Sequence, residues 1–232
     1  MHRPEYLAQG YAIPYRIPTE AHPLIDRHDL IDRLDHILSP DVDPVVVKLG
    51  IVSLWGLPGT GKSTLARQYA EINRENLSFV FWIRAESWET VAASYLEFAN
   101  TIVEYYAKDT PRSQVENDLG FTGVDDMLRV KSIMQLDTSR VRSVVRAVKD
   151  WLLRPENTRW LLIFDSLEPS YDIFDFLPLT LSGKIILTSR DGNCCSWGTK
   201  LQVDAMEEDE AIRLLDAIVG DDAAQDAVQG KH

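Results

Sequence analysis

The sequence predicts an α/β domain: a five-stranded parallel sheet with helices on both faces. Three observations carry the prediction. Short apolar runs alternate with amphipathic stretches along most of the chain. The runs are nearly continuous in apolar residues, as strands covered on both faces must be. The polar residues that close them cluster where such sheets place ligands, beyond the carboxyl ends of the strands.

Taken in order, Ile51 to Trp55 reads as a buried strand and Ser63 to Asn76 as the helix after it. LSFVFWI, Leu77 to Ile83, is the second strand. Val91, Tyr95, Leu96, Phe98, Ala99, Ile102, Val103 and Tyr106 then recur at helical spacing, which predicts a long amphipathic helix. Lys108 to Asp126 is polar and contains Pro111, Gly120 and Gly123, so it reads as a surface excursion. Val141, Val144, Val145, Val148 and Leu152 line one face of a further helix, stopped by Pro155. RWLLIFD (Arg159 to Asp165), KIILTSR (Lys184 to Arg190) and KLQVD (Lys200 to Asp204) supply the remaining strands. A last helix is expected from about Glu207 to Val219, and the chain has no internal repeats.

Charge and cysteine content narrow the function classes. With 232 residues and 45% hydrophobic content, one α/β domain can bury a sizeable core. The net charge is −12, and Glu207 to Asp226 holds eight carboxylates against the single base Arg213. That balance is the opposite of a nucleic-acid footprint, so DNA or RNA is not the expected ligand. Arg140, Arg142, Arg146 and Lys149 form a basic run, but on a helix whose other face is apolar, which reads as a solvated face. The N-terminus has no signal-like apolar stretch, and the run Val45 to Trp55, interrupted by Lys48, is too short to span a membrane. Cys194 and Cys195, the only cysteines, are adjacent and read as reduced thiols of a cytoplasmic protein.

The stretch WGLPGTGKST, residues 55 to 64, holds three glycines where one would serve a plain connection. Gly56, Gly61, Lys62 and Ser63 match G-x-x-x-x-G-K-[ST] between a strand and a helix, the pattern of a phosphate-binding P-loop. Glycines let successive backbone N–H groups converge on phosphate oxygens. The following helix adds its unpaired N–H groups and the positive end of its dipole. Lys62 is expected to reach the β- and γ-phosphates and the Ser63 hydroxyl to ligate Mg²⁺. Asp165, closing the apolar strand LLIFD, offers a carboxylate to the same ion, and Arg190, closing the next, is placed to meet a γ-phosphate.

GLPGTGKST, LLIFDS and KIILTSR, at these spacings, resemble the nucleotide-binding domain of NB-ARC proteins. These are STAND-class signal-transduction NTPases that include the NLR immune receptors. The likeness covers roughly residues 12 to 219, and RWLLIFDSLEP with EEDEAIRLL looks most like fungal members. It implies an ADP/ATP-binding switch, with ADP holding a resting form and ATP favouring one that oligomerises. The fourth strand would lie between the loop strand and the Asp165 strand. Gly59, Thr60, Gly61, Lys62, Ser63 and Thr64 would hold the phosphates, Ser63 and Asp165 the Mg²⁺, and Arg190 would sense the third phosphate. Leu24, Ile25 and Arg27 would line the adenine end.

The sequence departs from the family pattern at Asp26, where a glycine is usual, and at Ser166, where many members carry a second acid or an asparagine. Glu168 stands two residues beyond. The expected division is an N-terminal extension with the adenine segment over 1–30, the P-loop NTPase domain over 31–219 and an acidic tail over 220–232. The chain stops before the helical subdomain that follows in this family, so the segment reads as a truncated core. It is expected to be monomeric, a poor ATPase, and part of a protein that forms homo-oligomers when activated. Two other readings stand beside this one: a P-loop kinase or other self-sufficient ATPase, and an NTPase acting on nucleic acid.

Overall fold

A computed structural model describes residues 27–39, 50–130, 136–193 and 198–217. The sheet is five-stranded and all parallel: β1 Gly50–Trp55, β2 Phe79–Arg84, β3 Trp160–Leu167, β4 Gly183–Ser189 and β5 Thr199–Gln202, in spatial order β2-β3-β4-β1-β5. The fourth strand does lie between the loop strand and the Asp165 strand, as the family resemblance implies.

Apolar residues on the two faces of the strands build two cores. Val52, Leu54, Val80, Leu161, Ile163 and Ile186 meet α1 (His28–Leu38) and α2 (Lys62–Ile72) on one face. Phe79, Phe81, Leu162, Phe164, Ile185 and Leu187 meet α3 (Trp88–Tyr106) and α6 (Thr138–Leu152) on the other. Helix α3 starts where Ser87 and Thr90 form a reciprocal capping box. Asp137 caps α6, whose five predicted apolar positions are all buried.

Two parts differ from expectation. The segment read as a surface excursion folds into α4 (Arg112–Leu119) and α5 (Val124–Leu128). Val115, Leu119, Phe121, Val124 and Met127 enter the core shared with α3. Gly120 and Gly123 do not loosen the segment. Their φ values of 78° and 76° let one end α4 and the other start α5, positions that favour glycine. The second difference is α1 itself, which sequence reading absorbed into the adenine segment. Leu30, Ile31, Leu34 and Leu38 bury one stripe of it, and Tyr69 fastens it: the phenol donates to Asp35 at 3.3 Å and accepts from Lys184 Nζ at 2.9 Å.

Smaller shifts occur at element ends. Helix α2 begins at Lys62 and ends at Ile72, with Arg74–Asn76 forming a 3-10 turn. Residues 208–217 form α7, and the rest of that expected helix lies outside the described residues, as do Cys194, Cys195 and the 220–232 tail. Among the described residues no helix is long and apolar enough to cross a membrane.

Candidate functional site

The carboxyl ends of β1, β3 and β4 gather most of the residues singled out by sequence. After Trp55 the chain must pass directly beside Val203, whose carbonyl oxygen would lie 2.3 Å from any Cβ at Gly56. Only glycine fits there. Further along, Gly59 and Gly61 hold φ of 79° and 85° and face open space, with no atom within 4 Å of where a Cβ would stand. The loop therefore presents an uncovered backbone concavity that runs into the first turn of α2.

Lys62 closes this loop on itself. Its ammonium donates to the carbonyls of Gly56 at 2.9 Å and Leu57 at 2.7 Å, and to Thr60 Oγ1 at 3.4 Å. Thr60 in turn donates from its hydroxyl to Leu57 at 3.0 Å. Burial lowers the Lys62 pKa, the Arg190 charge lowers it further, and Asp165 pulls it back up. Thr64, half-buried, follows Ser63 in the first turn of α2.

Asp165 is held by two hydroxyls. Ser63 Oγ and Thr188 Oγ1 each donate to its Oδ1 at 2.6 Å. The local backbone explains this convergence. Phe164 pairs with Leu187 and Leu167 with Ser189, so Asp165 and Ser166 together oppose Thr188 alone. This is a bulge, uncommon between parallel strands, and bulges re-aim the side chains they carry. Ser166 takes φ 62°, and its N–H donates to Thr188 Oγ1 at 2.8 Å. Thr188 thus accepts from one bulge residue and donates to the other. Sequence reading placed it among the strand-end residues without giving it a role, and β3 runs two residues beyond the predicted end at Asp165.

Arg190 stands near enough for its charge to act on Lys62. It pairs with Glu168 at 2.7 Å, and its side chain is 65% exposed. Arg27 reaches the loop from the other side. It donates from one guanidinium nitrogen to the carbonyls of Thr60 at 3.1 Å and Asp204 at 3.2 Å, and pairs with Glu210 of α7 at 3.5 Å. Leu24 and Ile25 lie outside the described residues.

The arrangement suits a phosphorylated ligand with a hard cation. No group of three or more His, Cys, Asp or Glu ligands occurs among the described residues. One carboxylate and one hydroxyl is the donor set that Mg²⁺ uses when it keeps waters and takes its other oxygens from phosphate.

The sequence model for the AAA ATPase domain matches residues 23–186, most of the chain. No curated protein matches the sequence. Among solved structures, the crystal structure of Cdc6p from Pyrobaculum aerophilum aligns with a TM-score of 0.44 and 12% identity, over 91% of this chain and 52% of that one. The chain therefore spans about half the length of that structure.

Proposed function

We propose that this chain, which belongs to the AAA ATPase domain family, is the adenine-nucleotide-operated core of a signalling switch of the NB-ARC kind. Family membership implies nucleotide and Mg²⁺ binding in general; the residue roles and the switch are our reading. The observation that carries it is the convergence of Ser63 and Thr188 on Asp165 beside an open glycine loop.

Each residue then has a task. The backbone from Gly59 to Thr64 holds phosphate oxygens, and Lys62 turns from the loop carbonyls toward them. Bound Mg²⁺ would supply charge neutralisation of the phosphates. Ser63 and Asp165 orient the ion, and Thr188 fixes the carboxylate that does so. Arg27 ties Thr60 to Asp204 and Glu210, so the loop and α7 are braced together.

The switch reading rests on Arg190. A ligand shifts a two-state equilibrium only through its differential affinity for the two states. Arg190 held by Glu168 is one state. Arg190 turned to a third phosphate is the other, open to ATP and closed to ADP. The ATP form would be the one that self-associates. The test is to identify co-purified nucleotide by mass after denaturation, then compare ADP with a non-hydrolysable ATP analogue by calorimetry. Retained ADP, and an analogue affinity that depends on Arg190, are the expected results. No bound nucleotide and no affinity for either would overturn the proposal.

A further inference from the structure

The basic run on α6 plays no part in the nucleotide site; its arginines are exposed, as a solvated face requires, and they also border an open cavity. Arg142, Arg146 and Lys149, spaced to share one side of the helix, line a cavity of about 250 Å³ with Val145, Trp88, Asp175 and Phe176. The apolar wall is firmly held. Trp88 meets Phe176 edge-on with ring centroids 6.3 Å apart, and the buried Tyr95 hydroxyl donates to the Phe176 carbonyl. Lys149 donates to the Asp175 carbonyl at 2.8 Å, and burial, the largest influence on it, lowers its pKa.

The charges here are poorly balanced. Like charges three and four residues apart on a helix repel, and Arg142–Arg146 and Arg146–Lys149 are two such pairs. Against three cations the cavity lining offers one carboxylate, Asp175, and Asp150 acts on Lys149 from outside the lining, which still leaves a positive excess on a chain of net −12. Neither Arg142 nor Arg146 forms an ion pair with a carboxylate among the described residues. A dianion would relieve this, and two guanidiniums suit the forked recognition of phosphate. The half-buried Trp88 ring, backed by the buried Phe176, offers an apolar seat for whatever carries it. The volume lies just under the usual range for small-molecule pockets, about 300–1,000 Å³.

We propose that the cavity between α6, the start of α3 and the Ile173–Phe176 turn binds a small phosphate monoester carried on an aromatic or apolar body. This site is separate from the glycine loop and does not depend on the nucleotide reading. Phenyl phosphate is the probe, titrated into the intact chain while indole and glycine N–H resonances are followed by NMR. The Trp88 indole signal, assigned through Trp88→Phe, should shift to saturation. Arg146→Ala should weaken binding at least about tenfold, the loss of one charge-assisted contact, and Arg146→Lys should restore part of it. Inorganic phosphate and benzyl alcohol should each bind more weakly than phenyl phosphate. Shifts confined to the Gly59 and Gly61 amides, an unmoved Trp88 signal, or equal binding by benzyl alcohol would each overturn the proposal.

Discussion

Thr188 Oγ1 lies 2.6 Å from Asp165 Oδ1 and donates to it, while accepting the N–H of Ser166 at 2.8 Å. One side chain on β4 therefore sets both residues of the bulge on β3. If Asp165 serves the cation, Thr188 acts through it as a positioning residue. Thr188→Val keeps the shape and removes the hydroxyl, and a hydrogen bond to a charged group contributes about 1.5–3 kcal/mol. ADP affinity in the presence of Mg²⁺ should fall roughly tenfold or more, with little change when the metal is chelated. Equal losses with and without Mg²⁺ would assign Thr188 to the scaffold alone.

This residue also marks the limit of what the sequence discloses. The five strands were legible because their apolar runs are continuous, and the loop because its glycines, lysine and serine have no cheaper explanation. Asp165 was legible as the polar end of an apolar strand. The two-against-one pairing at Thr188 is a matter of register, and register leaves no mark in composition. The buried face of α4 and α5 was hidden differently: Pro111, Gly120 and Gly123 signal interruption, yet here they start or end short helices. Arg190 was legible as the end of its strand, but its pair with Glu168, twenty-two residues away, is one that no local pattern indicates.

The Lys62 ammonium, satisfied by the carbonyls of Gly56 and Leu57, must leave them to meet phosphate. Lys62→Ala should weaken ADP binding roughly 10- to 150-fold, from the loss of about 1.5–3 kcal/mol. A pH dependence follows from the same residue. Its pKa is already lowered, by burial first and then by Arg190, and a bound phosphate would raise it again. Affinity is then constant well below the lowered pKa and declines as pH rises through it, with proton uptake on binding in that alkaline window. Calorimetry in buffers of different ionisation enthalpy measures the uptake, and Lys62→Ala should abolish it.

Glu168 and Arg190 form an exposed pair, and such pairs contribute only about 0–1 kcal/mol to stability. Glu168→Gln should therefore leave the unfolding midpoint nearly unchanged. It should also free Arg190, raising affinity for a non-hydrolysable ATP analogue by up to about fivefold, the equivalent of that same energy, with ADP unaffected. Arg190→Ala should do the reverse, lowering analogue affinity and sparing ADP. Parallel changes for both nucleotides would reduce the pair to a surface contact.

At the amino end of the sheet, Tyr69 joins α1, α2 and β4 through Asp35 and Lys184. The phenol is fully buried, and burial, aided by Asp35, raises its pKa, so it stays protonated and able to donate. Tyr69→Phe removes the bridge and leaves Lys184 short of an acceptor. Denaturant unfolding should show a loss of about 1.5–3 kcal/mol, the contribution of a hydrogen bond with a charged partner. Nucleotide affinity should not change, because the network sits at the opposite end of the strands from the loop.

The last prediction is that this chain turns over ATP very slowly. Hydrolysis needs a group that orients or activates the attacking water and a charge that stabilises the transition state. The two carboxylates at the end of β3, Asp165 and Glu168, are already committed. Asp165 accepts from Ser63 and Thr188 and is the residue suited to the cation. Ser166, next to it, has no carboxylate, and its backbone is fixed at φ 62° by the bulge. Glu168 is bonded to Arg190, so this base and this cation neutralise each other. Turnover should therefore fall below the median enzyme rate of about 10 s⁻¹ by a factor of roughly a thousand or more. Glu168→Gln should not lower it further, since Glu168 is not acting as the base. A steady-state phosphate-release assay decides between the readings. Turnover near the median rate, abolished by Lys62→Ala and by Glu168→Gln, would make this a working ATPase with Glu168 as its base and would remove the ground for a switch.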